Sequence, residues 1–366
     1  GYGFCWGRDG ALIAAALQDY HHAGAVAILD FFLSTAQPHE EMPDARYLKQ
    51  RHQTCGLPAP GWGDQFDETG SILWSYANYR KRFKDEADLN RCREQILPLV
   101  DFLYGIVDPE LFLFRPTIDL WEERFGYHLY SQLACLHGLK EGLKLLDEKT
   151  RTQRYPDAPG LLKSVHTAIE SHFLLNGLAL RSILRPQSPI SQSFEAWRDE
   201  MLDGATSQPQ PHLAAYGMNR ENLEIFRKLF ERGFRPDFVP DIANLALIYP
   251  FDGLDLPPQA VGKNIAHLDR FLLEPQSGLH YRYAWDPYIG GNAWVLATLW
   301  LGISETLNGR PESGKRRLET ARRAANGLGL LPEQVDTDCR PCWIQPLCWS
   351  HAFYLALSRL LKTERK

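Results

Sequence analysis

Helical periodicity, met again and again with hardly a strand signal between, is the feature that most constrains what this chain can fold into. From Asp9, placed to cap, the run Gly10 to Tyr20 is built of strong helix formers. Further helical patterns cover 24–37, 68–83, 87–106, 126–147, 158–183, 219–232, 257–273, 291–308, 312–328 and 345–362, about eleven in all. The best strand signal is Leu279 to Tyr283. Two stretches interrupt the rhythm: a Pro- and Gly-rich loop over 39–66, and a Pro/Ser/Gln-rich insertion over 184–218 with room for a short helix around Trp197. Paired helices without a sheet leave an α-solenoid or a closed toroid of helical hairpins. No repeat of fixed period is visible, which disfavours the solenoid. The expectation is an all-α toroid formed by residues 1–366 as a single domain.

Composition narrows the function classes. The 366 residues are 44% hydrophobic and 23% charged, a folded globular composition. A net charge of -5 supplies no basic face for nucleic acid. No apolar run reaches the length of a membrane span; 293–303 and 243–249 read as buried segments. Seven cysteines leave an odd one, and Cys339-Arg-Pro-Cys342 has no partner pair or histidines to make a zinc site. Free thiols favour a reducing compartment, so a cytoplasmic setting is expected. Gly309 to Lys315 imitates a phosphate loop, but Arg316 stands where Ser or Thr should bind magnesium and a helix precedes it. The basic run Lys315 to Arg323 is interleaved with Leu318 and Ala321 and reads as a solvated helix face. The chain opens at Gly1 inside a motif, so a preceding segment of the natural protein is expected.

The chemistry-bearing residues concentrate elsewhere. In Asp119-Leu120-Trp121-Glu122-Glu123-Arg124 two carboxylates adjoin a tryptophan, and an apolar ring beside a carboxyl raises its pKa, as a general acid near neutrality requires. The ordinary alternative is a solvated Glu-Glu pair at a helix N-terminus. A second acidic segment, Leu330 to Asp336 with Glu333, lies far downstream, and two carboxyl groups from distant segments are what glycoside hydrolysis needs. Four tryptophans adjoin charged or loop residues: Trp6 before Arg8-Asp9, Trp62 in Gly61-Trp-Gly-Asp-Gln65, Trp121, and Trp349 before Ser350-His351. Each alone is ordinarily a packing aromatic. Together, beside fixed donors and acceptors, they suit sugars, which offer apolar faces and a rim of hydroxyls.

These segments, with Arg282-Tyr283 through Asp286 to Gly291-Asn-Ala-Trp294 and a weaker Trp62-Gly63/Gln65-Phe-Asp67 match, resemble glycoside hydrolase family 15, the glucoamylases and glucodextranases. The resemblance runs from Tyr2 to about Leu361. It implies an (α/α)6 barrel, of which the helix before the first motif would be missing here, and an inverting exo-acting α-glucosidase that releases β-D-glucose. By motif, Glu122 corresponds to the general acid and Glu333 to the general base, carboxyls that inversion places about 6.5–9.5 Å apart. Arg8 and Asp9 correspond to residues that grip the terminal glucose, and Tyr2 to a tyrosine near the developing oxocarbenium ion. Trp6 belongs to the same first segment; Trp62, Trp121 and Trp349 resemble aromatic walls; Arg282 and Glu123 resemble contacts around the scissile bond. The substrate implied is an α-glucan or gluco-oligosaccharide, and the chemistry calls for no metal or organic cofactor. An α-1,4 preference ranks first, an α-1,6 specialist or a trehalase next. From other classes, a non-catalytic carbohydrate-binding or regulatory domain does not need both carboxylates, and a helical scaffold needs neither.

Overall fold

The computed structural model describes residues 5–34, 51–52, 57–58, 64–83, 87–186, 192–207 and 211–363. Among these, eleven helices have eleven or more residues, close to the number the periodicity predicts. The chain divides into two compact units, Gly1–Ile169 and Glu170–Lys366.

The first unit opens with α1 (Gly7–Leu17), α2 (His22–Ser34), α3 (Phe66–Arg82) and α4 (Ala87–Gly105). A hairpin of β1 (Thr117–Ile118) and β2 (Phe125–His128) follows, then α5 (Leu129–Leu145) and α6 (Glu148–Arg154). Helix α3 is its centre: every residue from Phe66 to Ala77 is buried. Asp67 and Glu68 lie in its first turn and Arg80, Lys81 and Arg82 in its last, matching the helix dipole at both ends. Glycines let α5 cross it with backbones in contact. A Cβ on Gly70 would stand 2.3 Å from the Ala134 carbonyl oxygen, and one on Gly138 would stand 2.4 Å from the Gly70 Cα.

Helix α7 (Ala158–Phe173) leads into the second unit. There β3 (Leu174–Leu175) pairs with β4 (Leu178–Ala179), and β5 (Ser182–Leu184) pairs with β6 (Arg235–Asp237) across α8 (Phe194–Ser207). Next come α9 (Pro258–Leu272), β7 (Ala293–Trp294), α10 (Val295–Leu307), α11 (Pro311–Arg322), β8 (Gln334–Val335) and α12 (Cys348–Thr363). Here α10 plays the part of α3. It is buried from Val295 to Thr306, and Trp300 at its middle donates from Nε1 to the Tyr249 carbonyl at 2.7 Å. Gly302 and Gly314 seat α11 against it. The basic face of α11 is partnered as an outer helix face should be, Arg322 with Glu319 at 2.6 Å, although Arg317 turns inward to Asp269 and Glu305.

Several expectations are corrected. Helix α1 starts at Gly7 with Trp6 at its N-cap, so Asp9 lies inside the first turn. The pattern from 126 begins as strand β2 and turns helical only at Leu129, because Phe125 and Tyr127 are better strand than helix formers. The pattern over 158–183 stops at Phe173, where Asn176 (φ 50°) and Gly177 (φ 73°) turn the chain into the β3–β4 hairpin. The 219–232 pattern divides into Arg220–Glu224 and Arg227–Glu231. Leu279 to Tyr283 makes isolated bridges, His280 with Leu273 and Trp294 and Tyr283 with Asp241, but no strand. The helix expected near Trp197 is α8. The 39–66 loop lies outside the described residues apart from 51–52, 57–58 and 64–66.

Candidate active site

In the first unit the Asp119–Arg124 segment is the tip of the β1–β2 hairpin, not a helix N-terminus. Asp119 builds it. Its Oδ1 accepts from the backbone N–H of Glu123 (2.8 Å) and Arg124 (3.2 Å), and its backbone pairs with Arg124 and Glu122. The turn forces Glu122 into the left-handed region at φ 65°, a conformation that costs a side chain of this kind about 1–3 kcal/mol and persists only where neighbours hold it. The hairpin is moored to the start of α3: Ile118 N donates to the Asp64 carbonyl at 2.8 Å, and Phe66 N donates to Thr117 Oγ1 at 3.4 Å.

This mooring carries the half-buried Glu122 carboxyl to side chains from two other segments. Its Oε1 accepts from Trp6 Nε1 at 2.7 Å and from Gln65 Nε2 at 2.8 Å. Gln65 is in turn fixed by Arg8, whose NH1 donates to Gln65 Oε1 at 3.0 Å and to Asp67 Oδ2 at 2.9 Å. Asp9 completes the group, 3.5 Å from Arg8 Nε. Burial pushes the Asp9 carboxyl up to about 6; Arg8 opposes the rise, while Glu122 and Asp67 add to it. Burial alone would lower the Arg8 pKa, but Asp67, Asp9 and Glu68 outweigh it and hold the guanidinium firmly charged. Trp6, Arg8, Asp9 and Glu122 are therefore brought together. Trp121 is buried at the hairpin, and Glu123 points outward beside Arg124 at 3.3 Å. Tyr2 and Trp62 lie outside the described residues.

In the second unit Glu333 is buried and precedes β8. Its N–H donates to the Ile344 carbonyl at 2.8 Å, and its carbonyl accepts from Val295 N at 3.2 Å. The segment leading to it is strapped to the start of α12. Ser350 Oγ donates to the Pro332 carbonyl at 3.0 Å, and Leu331 N donates to His351 Nε2 at 3.0 Å. Burial lowers the His351 pKa, which keeps that nitrogen an acceptor. Trp349 is buried against Trp300 and Phe353. Arg282 is buried too, paired in a fork with Asp286 at 2.6 and 2.8 Å, and its guanidinium lies 4.5 Å from the centre of the Trp294 ring. Trp294 stands opposite Gln334 in the β7–β8 ladder, so Arg282 and the Glu333 segment share one framework.

Three residues that build these groups carry little signal in the sequence. Gln65 and Asp67 appear only as a weak motif, and Asp286 only as a spacer. Arg181 lies next to Arg282's neighbour Tyr283: it is buried, donates to Asp237 at 2.7 Å and stacks 4.8 Å from the Tyr283 ring. A lone arginine within the apolar stretch Leu174–Ile183 was the available signal. Among the described residues no group of three or more His, Cys, Asp or Glu could hold a metal ion, and no helix is long and apolar enough to cross a membrane.

No family model matches the chain. It is 26% identical over 97% of its length to an uncharacterized glycosyl hydrolase of Methanocaldococcus jannaschii, of which it spans half. It is 24% identical, again over 97% of its length, to an isomaltose glucohydrolase of Kribbella flavida, covering 84% of that protein. Its fold matches a bacterial glucoamylase solved with acarbose at a TM-score of 0.66 and 18% identity, over 99% of this chain and 49% of that one. The resemblance read from the motifs is borne out as similarity: the chain is similar in sequence to glycoside hydrolases and shares the (α/α)6 barrel fold of the glucoamylases.

Proposed function

We propose that the chain is a single catalytic domain acting as an inverting, exo-acting α-glucosidase, which hydrolyses terminal α-glucosidic bonds of glucans or oligosaccharides and releases β-D-glucose. The observation that carries this reading is the carboxyl of Glu122, held in a strained turn and bound by two N–H donors beside a buried arginine. Glu122 is assigned the general acid that protonates the departing oxygen. Glu333, buried beside the β7–β8 ladder, is assigned the base that removes a proton from the attacking water. Asp9 and Arg8, with Tyr2 and Trp6, are assigned the terminal glucose. Trp62, Trp121, Trp349, Glu123 and Arg282 are assigned the rest of the substrate. A cytoplasmic setting rests on the reading of the thiols.

An α-1,4 preference follows from the motifs. The α-1,6 alternative is favoured by a specific finding, the isomaltose glucohydrolase among the relatives. Glucose release from maltose and isomaltose by wild type, Glu122→Gln and Glu333→Gln tests the assignment. Glu122→Gln is expected to lose at least about 100-fold in kcat with its melting temperature kept, and Glu333→Gln to lose the acidic limb of the pH profile. A wild type that binds oligosaccharide and never cleaves it would instead make this a non-catalytic carbohydrate-binding domain.

A further inference from the structure

A general acid delivers its proton from one particular oxygen, and the first unit specifies which. Trp6 Nε1 is a donor and nothing else, and it takes one lone pair of Glu122 Oε1 at 2.7 Å. The second donor, Gln65, has an amide that could present either its oxygen or its nitrogen to Glu122. Arg8 removes the choice: a guanidinium has no acceptor, so the Gln65 oxygen must face it, and at 3.0 Å it does. The Gln65 NH2 is then committed to Glu122 Oε1 at 2.8 Å. Asp67, wholly buried in the first turn of α3, holds the same Arg8 nitrogen at 2.9 Å and so fixes the orientation of the whole relay.

We propose that Gln65, oriented by Arg8 and Asp67, is the positioning residue that directs the Glu122 proton to a single oxygen. With Oε1 receiving two N–H donors, a neutral Glu122 carries its hydrogen on Oε2. That O–H bond breaks as the hydrogen passes to the glycosidic oxygen, the bond from that oxygen to the anomeric carbon breaks, and its electron pair leaves with the departing sugar as an alcohol. The two donors on Oε1 stabilise the carboxylate left behind, so they make the proton easier to give. The inference rests on the assignment of Glu122 as the acid, and Gln65 itself touches no reacting atom.

The test compares leaving groups. Maltose or isomaltose needs full protonation of a poor leaving group, whereas 4-nitrophenyl α-glucoside does not. Gln65→Met is expected to lower kcat on the disaccharide about 10- to 100-fold, part of what general-acid catalysis contributes. On the nitrophenyl glucoside the loss should stay within about 3-fold, and the alkaline limb of kcat/KM should move up by about one pH unit. Gln65→Glu keeps the contact with Arg8 but sets a like charge beside Glu122. It should move that limb further in the same direction, which preserves the test if the methionine variant folds poorly. Equal losses on both substrates with an unmoved limb would reduce Gln65 to a packing residue and overturn the inference. Glu122→Gln on the same two substrates separates the failures, since an acid variant without leaving-group dependence defeats the functional reading itself.

Discussion

Asp9 shows how much of this chemistry is set at the level of one side chain. It sits beside Arg8, yet burial and the neighbouring Glu122 and Asp67 carboxyls hold its pKa at about 6 instead of the usual 3.8. A carboxyl whose folded pKa is raised stabilises the fold in full below its unfolded pKa, and that contribution is lost as pH rises through the folded value. Asp9→Asn removes the titration. The stability of the variant relative to wild type should therefore grow by about 2 kcal/mol between about pH 4.5 and pH 7, as read by urea denaturation at both. Parallel pH dependences would show that the Asp9 carboxyl is not strained by its surroundings. The Trp6-Gly-Arg-Asp9 group was legible in the sequence because its members are contiguous. Gln65 was not, since its role depends on three segments separated by 57 residues on each side.

Elements decide where these side chains stand, and they were legible in proportion to their length. Helices α3, α5 and α10 declare themselves over many residues. The hairpin holding Glu122 has a two-residue strand β1, too short for an alternating pattern to register, so its tip read as a helix start. The crossing of α3 and α5 was invisible for another reason: Gly70 and Gly138 are separated by 68 positions, and only in three dimensions does each leave room for the other's backbone. Gly70→Ala places a methyl group 2.3 Å from a carbonyl oxygen, and the α5 backbone cannot yield as a flexible side chain would. It is expected to cost about 3 kcal/mol or more and to lower activity by shifting the start of α3, with Gln65 and Asp67, away from Glu122. A melting temperature unchanged by this substitution would contradict the described crossing.

For the molecule as a whole, fold class came from counting helices, and it holds because most of the described residues are helical. Function came from four dispersed motifs, and no periodicity could have supplied it. Linkage preference was not legible because it depends on how the second sugar is held, which none of the four motifs specifies. The central claim, hydrolysis by an acid and a base on an α-glucosidic bond with inversion, has a direct readout. A proton NMR time course on maltose and isomaltose follows the anomeric signals from the first minutes. β-D-glucose appearing first, ahead of mutarotation, is the expected result; α-D-glucose appearing first would contradict it.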